Sequence, residues 1–187
     1  MRRPIIAVVA LAGWCGQALA QTTEDALRVA RRFNEMSIVD AGTAGRWVVW
    51  THGAPADDRS VTLSLVGPRG HKSWSRTWAG GAYAPALRSL PQWRYAGAAV
   101  LALTVQFGAA AEEVHLFGLA KGRPVELFSE LADTVGWIFA PGDLNDELVL
   151  LLYNTHPDST TQVPSCYRWN DSEAKLAKRN CPSGLSR

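Results

Sequence analysis

The chain has 187 residues, 47% of them hydrophobic, with 19 lysine and arginine residues, 17 aspartate and glutamate residues and three cysteines. This length suits a single domain that can bury its own core. Without Arg2 and Arg3, which lie in the export signal predicted below, the formal charge falls from +2 to zero. A neutral domain exerts no bulk electrostatic attraction on nucleic acid or anionic lipid, so nucleic acid is not expected as a partner.

The N-terminus has the three parts of a secretory signal peptide. Met1-Arg2-Arg3 is a basic start, residues 4–14 are uncharged and mainly apolar, and Ala18-Leu19-Ala20 matches the small-x-small cleavage pattern. The apolar run is shorter than the roughly 20 residues of a spanning helix. We therefore predict a signal peptide over 1–20, a periplasmic or secreted domain over 21–187, and no transmembrane segment after cleavage. A membrane anchor, a buried helix and a lipidated Cys15 are the alternatives.

The two cysteines outside the signal have only one pairing available. Cys166 and Cys181 are predicted to form a disulfide, which an oxidising compartment would maintain. Two free thiols in a reducing compartment are the alternative.

The first segment of the mature chain has a helical pattern. Leu27, Ala30 and Phe33 recur at helical spacing after a capping threonine, Thr22 or Thr23. A helix is expected over 23–36, with its apolar stripe packed on a sheet.

The rest of the chain is predicted to form short strands separated by turns. Period-two alternation or buried apolar runs mark each strand. The predicted strands cover residues 46–51, 61–66, 72–78, 99–107, 114–119, 125–129, 148–154, 166–169 and 174–176.

The strand pattern repeats three times, with copies that begin near Trp47, Val100 and Leu148 and a period of about 50 residues. Tryptophan-centred segments at 92–95 and 136–139 precede the second and third copies. The predicted fold is mainly β, with antiparallel β-meander repeats in a propeller-like arrangement or a two-sheet sandwich, and one N-terminal helix. An ordinary meander without true repetition would give similar spacing.

An acidic loop precedes the third copy. Asp143, Asn145 and Glu147 alternate just before a strand, and this loop resembles the calcium loops of FG-GAP blade repeats. The resemblance implies a calcium site, although the inner glycine that permits the sharp turn of such loops is missing. An acidic turn that caps the strand, without any cofactor, is the alternative.

The loop histidines suggest a catalytic alternative. If the repeat is real, His52 and His156 lie in equivalent loops, with Asp58 near one of them. Such side chains could act as a general base or bind zinc. The sequence contains no G-x-S-x-G nucleophile motif. A secreted hydrolase with a His/Asp site is therefore an alternative function.

The aromatic stretch at 74–83 is the main candidate for a binding surface. Trp74 and Trp78 fall on one face of a predicted strand, and Gly80 and Gly81 lead into Tyr83. Tryptophan and tyrosine are enriched at binding hot spots. The same tryptophans could instead fill a core.

The segment Gly80-Gly81-Ala82-Tyr83 is similar to the S-G-x-Y loop that bacterial periplasmic lysozyme inhibitors insert into the lysozyme cleft. Gly80 replaces the serine of that loop, so a hydroxyl contact would be lost. The resemblance implies an exported, non-catalytic binding protein with a protein partner in the cell envelope, of the inhibitor or immunity type. An envelope structural or assembly module is the other alternative.

Overall fold

The computed structural model describes residues 36–53, 59–79, 82–108, 111–141, 146–155, 162–182 and 185. These residues form twelve β-strands and one short 3-10 turn, and no α-helix occurs among them. The predicted signal peptide and residues 23–35 of the predicted helix lie outside this part of the chain. The predicted end of the helix is wrong, because Met36 opens the first strand, where it pairs with Trp50.

The strands form three antiparallel sheets of four strands, each sheet made of consecutive strands. Sheet I contains β1 Met36–Asp40, β2 Arg46–His52, β3 Ser60–Val66 and β4 Lys72–Trp78. Sheet II contains β5 Ala82–Tyr95, β6 Ala98–Phe107, β7 Ala111–Ala120 and β8 Arg123–Ala132. Sheet III contains β9 Thr134–Pro141, β10 Asp146–Thr155, β11 Gln162–Asn170 and β12 Lys175–Arg179.

This architecture confirms the mainly β prediction and the antiparallel meanders. The two-sheet alternative is wrong, because the described strands divide into three sheets rather than two.

Sheet II lies in the middle and is apolar on both faces. Successive residues of a strand point to opposite faces. On β6, Leu101 and Leu103 therefore pack with sheet I, whereas Val100 and Ala102 pack with sheet III. This explains why β6 is an almost continuous apolar run in the sequence.

The core between sheets I and II is rich in aromatic residues. Phe117 of β7 exposes 1% of its surface and contacts Trp47 and Trp74, with ring centroids 6.0 and 5.6 Å apart. The core between sheets II and III is formed mainly by alternate leucines of β10 and by Trp93 of β5.

The C-terminal segment covers the outer face of sheet III. Val149, Leu151 and Tyr153 face away from sheet II but are buried, and Cys181 and Leu185 pack against their cluster. The Cys166–Cys181 disulfide is present, which confirms the predicted pairing. The bridge therefore holds the end of the chain over an apolar face.

Tyr167 connects sheet III to sheet II. Its hydroxyl donates a hydrogen bond to Glu130 Oε2 of β8 at 3.0 Å. Burial of the ring, together with the hydrogen bond and the negative charge of Glu130, raises the pKa of Tyr167 to about 12.

This shift predicts a late tyrosine titration. The raised pKa of Tyr167 stabilises the fold below pH 10, the pKa expected after unfolding, and this stabilisation is lost as the pH rises towards 12. The difference in phenolate absorbance between the wild type and Tyr167→Phe, plotted against pH, should have its midpoint near pH 12. Circular dichroism at each pH identifies the range in which both proteins are folded. A difference curve centred near pH 10 in that range would contradict the Glu130 contact.

No helix in the described ranges is long and apolar enough to cross a bilayer.

Candidate functional site

Two of the predicted binding residues lie in the interface between sheets I and II. Trp74 and Trp78 share the face of β4 that packs on sheet II, and Trp78 exposes only 7% of its surface. Trp74 meets Trp47 edge to face, with ring centroids 6.0 Å apart. This placement agrees with the alternative that the two tryptophans fill a core. It leaves little of the Trp78 side chain accessible to a ligand.

Tyr83 belongs to β5 rather than to a loop. It is half-buried, and its hydroxyl donates a hydrogen bond to the carbonyl oxygen of Gly108, where β6 ends. Gly80 and Gly81 lie outside the described residues. The β5–β6 pair thus holds the ring of Tyr83, the last residue of the segment predicted to bind.

A polar chain connects sheets I and II beside Trp78. The fully buried His115 donates from Nδ1 to Glu126 Oε1 at 2.9 Å, and Arg76 of β4 donates to Glu126 Oε2 at 2.6 Å. The imidazole also packs on the Trp78 ring, with centroids 4.7 Å apart. These contacts join β4 to β7 and β8.

The charges in this chain partly neutralise one another. Partial burial raises the pKa of Glu126, but the hydrogen bonds with Arg76 and His115, and the positive charge beside it, lower that pKa by more. Glu126 is therefore ionised at neutral pH. His115 Nε2 lies 3.4 Å from Glu113 Oε1 and makes no hydrogen bond within the described ranges. The Nδ1–Glu126 hydrogen bond therefore orients the imidazole, and the Arg76–Glu126 ion pair joins the two sheets.

His52 is in contact with hydroxyl groups at the end of β2. Its imidazole lies 3.1 Å from Ser60 Oγ and 3.0 Å from Thr62 Oγ1, and Thr62 is 2.8 Å from Thr77 Oγ1. Asp58 and His156, the other residues of the predicted hydrolase site, lie outside the described part of the chain. The hydrolase site therefore stays a prediction, to which the structure adds Ser60 as a neighbour of His52.

The predicted calcium loop is only partly described. Asp143 and Asn145 lie outside the described residues, and Glu147 of β10 pairs with Arg168 Nη1 at 2.8 Å. Across the described ranges, no group of three or more histidine, cysteine, aspartate or glutamate side chains is placed to hold a metal ion. Calcium binding by this loop stays a prediction.

A second aromatic cluster lies where sheets II and III meet. Trp93 of β5, which exposes 3% of its surface, contacts Trp137 of β9 and Trp169 of β11, each with ring centroids 5.7 Å away. Trp93 and Trp169 are nearly parallel, with an interplanar angle of 12°. Trp137 and Trp169 are half-buried, so the cluster reaches the surface.

Phe139 extends this cluster into solvent. It lies two residues beyond Trp137 on β9, hence on the same face, and pairs with Leu148 of β10. Its exposed fraction is 63%, the highest among the exposed large hydrophobic residues of the described chain. The guanidinium of Arg88 lies 5.8 Å from the Trp137 ring centroid. We call Trp137, Phe139 and Trp169, with Arg88 over the Trp137 ring, the aromatic surface.

The sequence contained a signal for this surface. The segments 92–95 and 136–139 are tryptophan-centred, but in the sequence alone they indicate only the start of a repeat. Only the packing of sheet II on sheet III brings Trp93, Trp137 and Trp169 together.

No protein-family model matches the chain, and neither the curated proteins nor the solved structures contain a match. The structure defines the class of the protein: a mainly β chain of three four-stranded antiparallel sheets with one disulfide.

Proposed function

We propose that the chain is an exported, non-catalytic binding protein that engages a protein partner in the cell envelope through the aromatic surface. The observation that carries this proposal is the exposure of Phe139, 63%, beside the half-buried Trp137 and Trp169. Exposed apolar side chains that adjoin one another mark interaction sites more often than single ones do.

The composition and rigidity of the aromatic surface favour a protein partner. Tryptophan and arginine are residue types enriched at binding hot spots, and the Arg88 guanidinium lies over the Trp137 ring. Trp93 supports both tryptophans from below, and β-strands hold all three. Because the side chains are already positioned, little conformational entropy is lost on binding.

The partner class follows from the resemblance of the 80–83 segment to lysozyme inhibitors. We propose a cell-wall hydrolase of the lysozyme class as the partner, with the chain as its inhibitor or immunity protein. Tyr83 lies at the start of β5 and Trp93 near its end, ten residues later. This separation corresponds to roughly 30 Å of strand, so the two candidate surfaces are distinct.

Export is part of the same proposal. A signal peptide over 1–20 would deliver the chain to the periplasm or the medium, where the Cys166–Cys181 bridge would persist.

We further propose that the three sheets are repeats of one unit in an open, propeller-like order. Each sheet is a meander of four consecutive strands, and the first strands of sheets I and II, β1 and β5, contact each other.

The function is tested by titrating a purified lysozyme-class wall hydrolase with the protein and measuring the rate of wall lysis. The wild type should inhibit, and Phe139→Ala should raise the required concentration at least tenfold, since loss of a hot spot costs about 2 kcal/mol or more. Leu131→Ala is the control, because Leu131 is 58% exposed but lies on another strand, β8. This variant should inhibit like the wild type.

Two outcomes would change this proposal. If wild-type protein neither binds nor inhibits hydrolases of this class, the inhibitor function is wrong. If Tyr83→Ala abolishes inhibition and Phe139→Ala does not, the function stands and the binding surface is the Tyr83 segment.

A further inference from the structure

The turns at one end of sheets I and II carry a concentration of positive charge. In an antiparallel meander, alternate turns lie at the same end of the sheet. Residues 40–46 and 66–72 are turns of this kind in sheet I, and 94–98 and 120–123 are their counterparts in sheet II. Six cations lie in these four turns, and all are exposed: Arg46, Arg69, Lys72, Arg94, Lys121 and Arg123. We call this set the basic end.

The two pairs of turns lie side by side in space. A cavity of about 250 Å³ is lined by Asp40, Ala41 and Trp47 of sheet I and by Arg94 and Leu119 of sheet II. Trp74, just after the 66–72 turn, contacts Phe117, just before the 120–123 turn, at 5.6 Å between ring centroids. The basic end is therefore one continuous surface.

The charge of the basic end is nearly uncompensated. Asp40 is the only carboxylate in the four turns, and its Oδ1 accepts a hydrogen bond from the Gly42 amide at 3.2 Å. None of the six cations takes part in an ion pair in the portion of the chain that the structure describes. His71 adds a further exposed titratable group.

The corresponding end of sheet III has a different character. Asp171 and Glu173 lie in its β11–β12 turn, and Glu147 lies near the start of β10. Glu147 pairs with Arg168 and Glu173 with Lys175, at 2.8 and 2.9 Å. Among the described residues, this end of sheet III thus carries acidic side chains, whereas the same end of sheets I and II carries cations, so the near-neutral total conceals a segregated charge.

We propose that the basic end docks the protein on a membrane surface rich in anionic phospholipid. Turns two strands apart in one sheet are separated by about 10 Å, and packed sheets are also separated by about 10 Å. The four turns therefore mark the corners of an area about 10 Å on each side, over which the six cations are spread. Guanidinium and ammonium groups spread over such an area match a planar array of phosphate headgroups.

This docking differs from the binding proposed for the aromatic surface. Exposed aromatic side chains form that surface at the junction of sheets II and III, whereas the basic end uses charge on sheets I and II. The docking is electrostatic, so it weakens with salt as the Debye length shortens.

The test measures co-sedimentation of the purified protein with vesicles of phosphatidylglycerol and phosphatidylcholine at low and high salt. Binding is expected at low salt, with release at high salt and no binding to phosphatidylcholine alone. The double variants Arg69→Glu/Lys72→Glu and Lys121→Glu/Arg123→Glu should each bind at least about tenfold more weakly, because each reverses two charges near the lipid.

The control is Lys178→Glu/Arg179→Glu, which changes the net charge equally but at the opposite end of sheet III, where both side chains are exposed. If the location of the charge decides docking, the affinity of this control for vesicles should stay within about twofold of the wild-type value. Such a change is smaller than the effect of one basic residue near the lipid. Equal loss in this control would overturn the proposal, as would failure of the wild type to bind anionic vesicles at low salt. Binding to DNA or polyphosphate without binding to vesicles would also overturn it. Inhibition of a wall hydrolase does not depend on any of these outcomes.

Discussion

Replacing Phe117 with alanine is expected to lower the free energy of unfolding by about 3–5 kcal/mol. Phe117 exposes 1% of its surface and lies between Trp47, Trp74 and Trp78 in the core that joins sheets I and II. These rigid aromatic neighbours, held by β-strands, cannot collapse fully into the space that the phenyl ring leaves. Urea unfolding followed by circular dichroism measures the change.

Phe139→Ala is the matched control, since the chemical change is the same and only the burial differs. Phe139 is 63% exposed, so its loss should change stability by no more than about 1 kcal/mol. Similar destabilisation by both variants would contradict the packing of sheet I on sheet II. The same control supports the functional test, because loss of inhibition by Phe139→Ala could then not be ascribed to unfolding.

Removing the disulfide is expected to cost about 3 kcal/mol of stability, the chain-entropy value for a loop of about 15 residues. The bridge also fixes the segment that covers Val149, Leu151 and Tyr153. A Cys166→Ala/Cys181→Ala variant should therefore unfold at a lower urea concentration. It should also expose the apolar outer face of sheet III. Urea unfolding of both proteins, with and without reductant, measures the effect.

Reductant should destabilise the wild type and leave the double variant unchanged. If reductant has no effect on the wild type, the bridge is absent from the purified protein or contributes nothing to stability. Increased binding of a hydrophobic dye by the double variant below its unfolding transition would separate release of the covering segment from global unfolding.

The sequence predicted most strands but missed those that interrupt the simple patterns. β5 Ala82–Tyr95 contains Pro85 and Pro91, and proline argues against a strand. The pairing of β5 with β6 shifts register between Tyr83 and Ala86 and again between Leu90 and Arg94, so each proline lies at an irregularity. The sequence places Met36, the first residue of β1, at the end of a helix, because it continues the spacing of Leu27 and Phe33. Its strand conformation comes from pairing with β2, which a local pattern cannot reveal.

The candidate surfaces show the same limit of local patterns. Alternation placed Trp74 and Trp78 on one face of β4, but it could not tell whether that face meets solvent or sheet II. Trp137 and Phe139 were equally evident in the sequence. Their exposure, however, depends on how far sheet II extends across sheet III, which a local pattern does not reveal. The neutral net charge also did not indicate the basic end, because a sum of charges does not show which turns lie close together.

The Cys166–Cys181 pairing was predictable because only these two cysteines remain once Cys15 is assigned to the predicted signal peptide. Its role was less evident. The buried outer face of sheet III shows that the bridge holds a cover over an apolar surface, which the spacing of the cysteines alone does not indicate.

Export is the premise that both functional proposals share, since each places the chain at the cell envelope. Intact mass of the protein isolated from its native cells tests this premise most directly, with and without alkylation under denaturing conditions. We predict a polypeptide that begins at Gln21, contains one disulfide and takes up no alkylating agent until it is reduced. A polypeptide that retains Met1, or one in which Cys166 and Cys181 alkylate without reduction, would contradict the account.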